Sequence, residues 1–239
     1  MKTTYVPGIC WMLAQSLLAV VLALPAFAAE PGWVNLFNGT NLDGWERHSG
    51  AAEFSVVDGA IVGKTVNRTT NTFLCTKKEY GDFVLEFEFN VPEKMNSGVQ
   101  FRSHWFTNDT RFQAAGRTKV IPPDRVHGYQ YELDPSARAW TGGVYDEARR
   151  GWLFDLKDNE AARKAFRQGE WNQGRIECQG DHIQTWINGV KAADLKDGLT
   201  LKGIIGLQVH RIGDNAKPGT TVRFRNLRIR EIPPSDPAK

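Results

Sequence analysis

The sequence predicts an all-β fold, a jelly-roll sandwich of two antiparallel sheets with one short helix, and three observations carry that expectation. Apolar residues recur with period two along most of the chain, turn-forming dipeptides separate the alternating runs, and a single segment repeats at helical spacing. Composition agrees: 13 Phe, 8 Trp and 5 Tyr with 23 Gly, against 3 Met, suit short strands joined by tight turns. The 30 Lys+Arg are scattered among 27 Asp+Glu without a long basic run, so the net charge of +3 gives no ground for a nucleic-acid partner.

Taken in order, residues 1–28 read as a cleaved secretory signal. Lys2 is the only charge before Glu30, the stretch from Leu13 to Leu24 is almost wholly apolar, and Ala26-Phe27-Ala28 supplies the small-x-small site that signal peptidase reads. The apolar core falls short of the roughly 20 residues a spanning helix needs. No stable membrane insertion is therefore expected after cleavage, and the protein should be exported, periplasmic or secreted. The folded domain is then 29–232, with the proline-rich stretch 233–239 as a flexible tail. Loss of the signal removes Cys10 and leaves Cys75 and Cys178. In an oxidising compartment these are permitted a disulfide, or they remain two buried thiols.

Phe54 to Val57 and Ala60 to Gly63 flank Asp58-Gly59, a favoured hairpin turn. Phe83, Leu85, Phe87 and Phe89 then alternate with Val84, Glu86, Glu88 and Asn90, as do Val99 and Phe101 with Gln100 and Arg102, and Tyr129, Tyr131 and Leu133 with Gln130, Glu132 and Asp134. Asp158 to Arg167 carries the helical spacing behind an Asp/Asn start. Alternation returns at Ile176 and Cys178, at Ile183 to Ile187 before a second hairpin turn at Asn188-Gly189, at Ile205 to Val209, and from Val222 to Ile232. About a dozen strands without helical crossovers leave a sandwich or barrel. The apolar phase belongs inside, with Phe83, Leu85, Phe87, Val99, Phe101, Tyr129, Tyr131 and Leu133 in the core.

The polar phase is unlike a plain solvated face. Glu86 and Glu88, then Gln100 and Arg102, then Gln130, Glu132 and Asp134 are planar, multidentate groups suited to sugar hydroxyls, and tryptophans offer faces on which pyranose rings stack. Cross-strand ion pairs are the plainer alternative. Glu132 and Asp134 share one face of one strand, and neighbouring carboxyls raise one another, so that one can hold a proton near neutrality. Pro135, Ser136, Ala137 and Arg138 follow with no second Glu, which leaves the two-carboxylate pattern of jelly-roll glycosidases incomplete. His104, His127 and His210 with these carboxylates leave room for a divalent metal, although no HxH or HExxH spacing supports one. His210 shares the phase of Gln208. The loop from Trp140 to Trp152, with Asp146, Glu147, Arg149 and Arg150, reads either as a lid or rim of a site or as a salt-bridged surface turn.

Short motifs in order add a resemblance. Phe37-Asn38-Gly39, Leu42-Asp43-Gly44-Trp45, Gly81-Asp82-Phe83, Asn96-Ser97-Gly98-Val99 with Phe101-Arg102, and Gly128-Tyr129-Gln130-Tyr131-Glu132-Leu133-Asp134 resemble the 3-keto-disaccharide hydrolase family, whose members are also described as 3-keto-glucoside 1,2-lyases and 3-keto-2-hydroxyglucal hydratases. Gly169-Glu170-Trp171-Asn172, Trp186-Ile187-Asn188-Gly189, Gly206-Leu207-Gln208-Val209-His210 and Phe224-Arg225-Asn226-Leu227 extend it to about residues 33–232. The resemblance implies a concanavalin A-like jelly roll and an exported enzyme acting on a mono- or oligosaccharide substrate, a 3-keto-glycoside. The family pattern has Glu where Gln130 stands and Gln where Glu132 stands, so the catalytic carboxylate is left open. Such chemistry needs a base at C2, an acid at the leaving oxygen and a cation at the C3 oxygen. The expected assignment is Glu132 or His210 as base, the other or Asp134 as acid, and Arg102 as enolate stabiliser. Gln100, Gln130, Gln208, Tyr145 and Trp152 would hold the sugar. A non-catalytic, lectin-like module of the same fold is the alternative.

Overall fold

The computed structural model describes residue 1 and residues 31–233 except 115 and 215. The expected signal and the end of the tail lie outside the described residues. In chain order the strands are β1 (Val34–Asn35), β2 (Trp45–His48), β3 (Glu53–Val57), β4 (Ala60–Lys64), β5 (Thr72–Tyr80), β6 (Phe83–Asn90), β7 (Ser97–His104), β8 (Thr110–Ala114), β9 (Arg117–Ile121), β10 (His127–Leu133), β11 (Val144–Glu147) and β12 (Gly151–Phe154). Helix α1 (Glu160–Ala165) follows, then β13 (Asn172–Gln179), β14 (His182–Ile187), β15 (Val190–Lys196), β16 (Gly203–Val209) and β17 (Thr221–Glu231). The strands missed by periodicity are mostly short or exposed, and β8 and β9 carry no buried face to impose an alternation.

One sheet runs β15-β14-β13-β6-β17-β4-β3 with β1 beside β17; the other runs β12-β11-β10-β7-β16-β5-β2; β8 and β9 form a separate hairpin. Every pairing is antiparallel. All eight side chains expected inside are buried, and they join one core shared by both sheets. Phe87 of the first sheet meets Tyr131 of the second edge-on, with ring centroids 5.3 Å apart. The hairpin turns form as expected, with left-handed backbone at Asp58 and Gly59 and again at Asn188 and Gly189. Asn159 caps α1 by accepting a hydrogen bond from Ala162 N at 3.1 Å.

Consecutive strands β6 and β7 lie in opposite sheets, which divides the polar phase in two. Glu86 and Glu88 fall on the outer face of the first sheet. There Arg175 Nη1 donates to Glu86 Oε1 at 2.7 Å, Arg228 Nη2 to Glu86 Oε2 at 2.7 Å, and Arg225 Nε to Glu88 Oε2 at 2.7 Å. On that face the cross-strand ion-pair alternative holds. The second sheet differs in kind: β10 and β16 are buried along their whole length on both faces, and β7 nearly so.

Arg102 departs from its expected place. Phe101 faces Tyr129 and Ser103 faces Ile204, but the register with both neighbours of β7 slips between them, so β7 holds an extra residue there. Arg102 sits in that bulge with φ 45. Its side chain, fully buried, leaves the polar face: Nε donates to Gly81 O at 2.9 Å, Nη1 to Gly180 O at 2.7 Å and Nη2 to Asp82 Oδ1 at 2.7 Å.

Cys75 and Cys178 are free thiols on different layers, so the permitted disulfide does not form. Cys178 belongs to the shared core, whereas Cys75 packs with Phe73, Val126 and Ile204 on the far side of the second sheet. Burial pushes the Cys178 thiol up to about 12 and raises that of Cys75 well above its ordinary value. Only thiolates react readily. Native protein is therefore expected to take up no aromatic disulfide reagent over minutes, and the same pair to label fully in denaturant; labelling of the native state would contradict the packing.

Candidate active site

The buried polar face of the second sheet forms the floor of a cleft. On it, Gly98 of β7 stands opposite Glu132 of β10, and Gln100 opposite Gln130. A Cβ on Gly98 would lie 2.4 Å from Gln130 Cδ, so the bare backbone is what lets Gln130 lie across β7. A directed chain of hydrogen bonds results. Ser103 Oγ donates to Gln100 Oε1 (2.8 Å), Gln100 Nε2 to Gln130 Oε1 (2.6 Å), and Gln130 Nε2 to Glu132 Oε2 (2.6 Å). Asn96 Nδ2 donates to the other carboxyl oxygen at 2.5 Å. Glu132 is only 5 % exposed, and burial, opposed by these two donors, raises its pKa to about 7.

Walls rise from five segments around a cleft of about 450 Å³. Strands β11 and β12 bring Tyr145 and Trp152 face to edge, with centroids 5.4 Å apart. Burial and the nearby carboxylates of Glu147 and Glu132 raise the Tyr145 phenol, which stays a hydrogen-bond donor at neutral pH. Arg138 lines the next wall, held by Nε donating to Asp134 Oδ2 at 2.8 Å and by its guanidinium lying 4.5 Å from the Trp140 ring centre. Arg125 donates through Nη2 to Glu147 Oε1 and through Nη1 to Thr70 Oγ1 at 2.8 Å, while Asn71 Nδ2 reaches the same Glu147 oxygen at 3.2 Å. His210 follows β16 and donates through Nδ1 to Arg211 O at 2.8 Å. A carbonyl only accepts, so the neutral ring presents Nε2 as a lone pair.

Gln208 completes the polar floor. Its Nε2 donates to Gln130 Oε1 at 3.0 Å, but Oε1 is a buried acceptor with no hydrogen-bond partner among the described residues. Such an orphan costs about 1–3 kcal/mol.

The sequence profile of 3-keto-α-glucoside-1,2-lyase-like domains matches residues 32–230. The chain belongs to this family. Membership places this lyase-like domain among carbohydrate-active proteins. In fold it is similar to a proposed glycosyl hydrolase from Parabacteroides distasonis ATCC 8503, with TM-score 0.54 and 20% identity over 84% of this chain and 94% of that one. It is also similar to a Bacillus subtilis protein of unknown function with a galectin-like fold, with TM-score 0.53 and 11% identity over 80% and 90% of the two chains. No curated protein matches the sequence.

Of the residues singled out by sequence, the lyase-like domain gathers Glu132, Gln130, Gln208, His210, Tyr145 and Trp152 around the cleft. Three others with expected site roles are elsewhere. Arg102 is turned away by the β7 bulge. Gln100, fully buried, lies beneath the floor and holds Gln130 rather than ligand. Asp134 accepts from Ser136 N, Arg138 Nε and Trp140 N. Burial pushes its carboxyl up, but the bonds from Ser136 and Arg138 outweigh this and hold it below its usual value, which removes it as a proton donor at neutral pH. It positions Arg138 instead. His104 stacks on Phe106 and His127 lies tilted against it, away from the cleft, with His127 Nδ1 donating to Arg125 O at 2.9 Å. Among the described residues no group of three or more His, Cys, Asp or Glu side chains could hold a metal ion.

Sequence reading missed Asn71, Asn96, Arg125 and Arg138 as cleft residues, and took Glu147 only as part of a charged loop. Asn96 opens the Asn96-Ser97-Gly98 motif, and Arg138 is four residues after Asp134, so both left a local trace. Arg125 and Asn71 lie in irregular segments whose only common feature is Glu147, far away in sequence. The segment from Trp140 to Trp152 includes β11 and β12 and lines the cleft, and its ionic turn is buried rather than on the surface. Asp146, fully buried, accepts from Arg149 Nε at 2.7 Å and Arg150 Nε at 2.5 Å, and this ionic turn carries the rim.

Proposed function

We propose that this lyase-like domain cleaves 3-keto-α-glucosides by 1,2-elimination and hydrates the product. The observation that carries the reading is Glu132, a cleft carboxyl whose pKa of about 7 suits it to exchange protons at neutral pH. The ketone at C3 acidifies the C2 proton. Ionised Glu132 takes that proton, the electrons of the C2–H bond form an enolate, and the enolate collapses to a C1=C2 double bond as the C1–O bond breaks. The departing oxygen takes a proton from a water that hydrogen-bonds to the His210 Nε2 lone pair, and the ring product is 3-keto-2-hydroxyglucal. The hydroxide left by that water then adds at C1 while Glu132 returns its proton to C2, so the net change is hydrolysis without oxidant or reductant. Arg138 uses one N–H on Asp134 and offers the rest of its fork to the C3 oxygen as charge develops there. Gln130, Gln208 and Tyr145, which line the cleft, would bind hydroxyls, and Trp152 would stack on the sugar.

The test pairs methyl 3-keto-α-glucoside with unoxidised methyl α-glucoside. Ultraviolet absorbance of the conjugated enone should rise, transiently or to a plateau, with the keto sugar alone, and deuterium at C2 should slow its appearance. Hydrolysis of the unoxidised sugar at a similar rate would replace elimination by ordinary glycoside hydrolysis. Binding of both sugars without turnover would leave the lectin-like module. The proposal includes export, supported by residues 1–28; the intact mass of exported protein should place its first residue at Ala29 or within a residue or two, and a retained Met1 would reject cleavage.

A further inference from the structure

Beside the polar cleft lies a second one of about 340 Å³, and the two share Arg125 and Ala148. Its chemistry is different. The run Val120-Ile121-Pro122-Pro123 supplies one wall, and no carboxylate, amide or imidazole lines it. The hydroxyls present are already engaged: Ser49 Oγ donates to Asp124 O at 3.0 Å and accepts from Val126 N at 2.8 Å, and Thr70 Oγ1 accepts from Arg125 Nη1. Val120 is 58 % exposed, a large apolar side chain open to solvent at this wall. The wall is nevertheless fixed. Asp124, next to the two prolines, meets His48 Nδ1 at 2.5 Å, accepts from Ser49 N at 2.9 Å and donates through its own N to Phe106 O at 2.7 Å.

A sugar in the first cleft has one substituent that must extend beyond it, the group on C1. The small side chain of Ala148 and the Arg125 guanidinium form the threshold across which that group passes. We infer that the second cleft receives the leaving group, and that this chain selects 3-keto-glucosides with an apolar aglycone over those with a hydrophilic one. The inference rests on the lyase reading above and names a specificity that reading leaves open. An aglycone of that kind covers Val120 and the prolines, and no carboxylate, amide or imidazole lines the cleft to reward a hydroxylated one.

Hexyl and methyl 3-keto-α-glucoside test it, because both release a simple primary alkoxide or methoxide and differ chiefly in apolar length. The ratio of kcat/KM, hexyl over methyl, is expected to reach about tenfold or more in the wild type. In Val120→Asp, which places a carboxylate on the exposed wall, the ratio should fall close to one with the thermal melt unchanged. A wild-type ratio near one, or a ratio that Val120→Asp leaves intact, overturns the subsite, while turnover of the methyl compound still upholds elimination. If neither keto sugar is turned over, the proposed function fails and the subsite is judged separately. Unoxidised hexyl glucoside, but not methyl glucoside, should then shift the Val120 and Ile121 methyl resonances; no shift overturns the subsite too.

Discussion

Glu132→Gln is expected to lower turnover of a 3-keto-glucoside by about 10²-fold or more, since positioned acid–base groups contribute on that order. The amide keeps the shape and much of the hydrogen bonding to Asn96 and Gln130 but cannot take the C2 proton. Its pH signature separates this from a structural defect. In the wild type kcat/KM should rise as pH passes about 7 and Glu132 ionises. Stability should move the other way. Burial lifts the folded carboxyl from its ordinary 4.5 to about 7, so between those values the native state binds more protons than the unfolded chain. The contribution is fully present below about 4.5 and is lost as pH rises through 7, on the order of 3 kcal/mol. Glu132→Gln should flatten both profiles. A variant that keeps the wild-type rate and the same rise through pH 7 would take Glu132 out of the base role and make His210 Nε2 the next candidate.

Arg102→Leu is expected to cost about 3–5 kcal/mol of stability, because it removes the three hydrogen bonds of a fully buried guanidinium and leaves the half-buried Asp82 carboxylate without its ion partner. Three bonds from one guanidinium join Gly81 and Asp82, where β6 begins, to Gly180 in the β13–β14 turn, and Asp82 Oδ1 also accepts from Gly180 N at 3.0 Å. Thermal melting should fall by roughly 10 °C for a domain of this size. Below that transition, turnover should stay within a few-fold of wild type. The opposite pattern, an unchanged melt with lost turnover, would restore Arg102 to the reacting centre and refute the bulged register. Arg138→Ala should show that opposite pattern, with loss of turnover and a melt altered little, since its exposed guanidinium pairs with one carboxylate at the cleft edge.

The amino-acid sequence by itself determined what repeats locally. Alternation of Phe83, Leu85 and Phe87 and of Tyr129, Tyr131 and Leu133 specifies which side of a strand is apolar, whichever sheet the strand joins. Asp58-Gly59 and Asn188-Gly189 specify two hairpins because their backbone tolerates left-handed torsions, and Asn159 specifies where α1 starts. The same period put Gln130 and Glu132 on one face of one strand, with Gln208 and His210 in a common phase of another, and they do meet in the cleft. Tertiary structure decided the rest. Which sheet a strand enters is not encoded in its period, so Glu86 and Glu88, though of the same polar type, ended on the opposite side of the sandwich in ion pairs with Arg175, Arg225 and Arg228. One extra residue in β7 reverses the phase beyond Phe101 and carries Arg102 out of the site, an offset visible only against the strands on either side. Burial, a property of neighbours and not of the strand itself, turned Glu132 from one carboxylate among 27 acidic residues into one poised near neutrality. The same neighbours brought in Arg125 and Asn71 from irregular segments through Glu147, because a long-range ion pair leaves no period for a sequence to show.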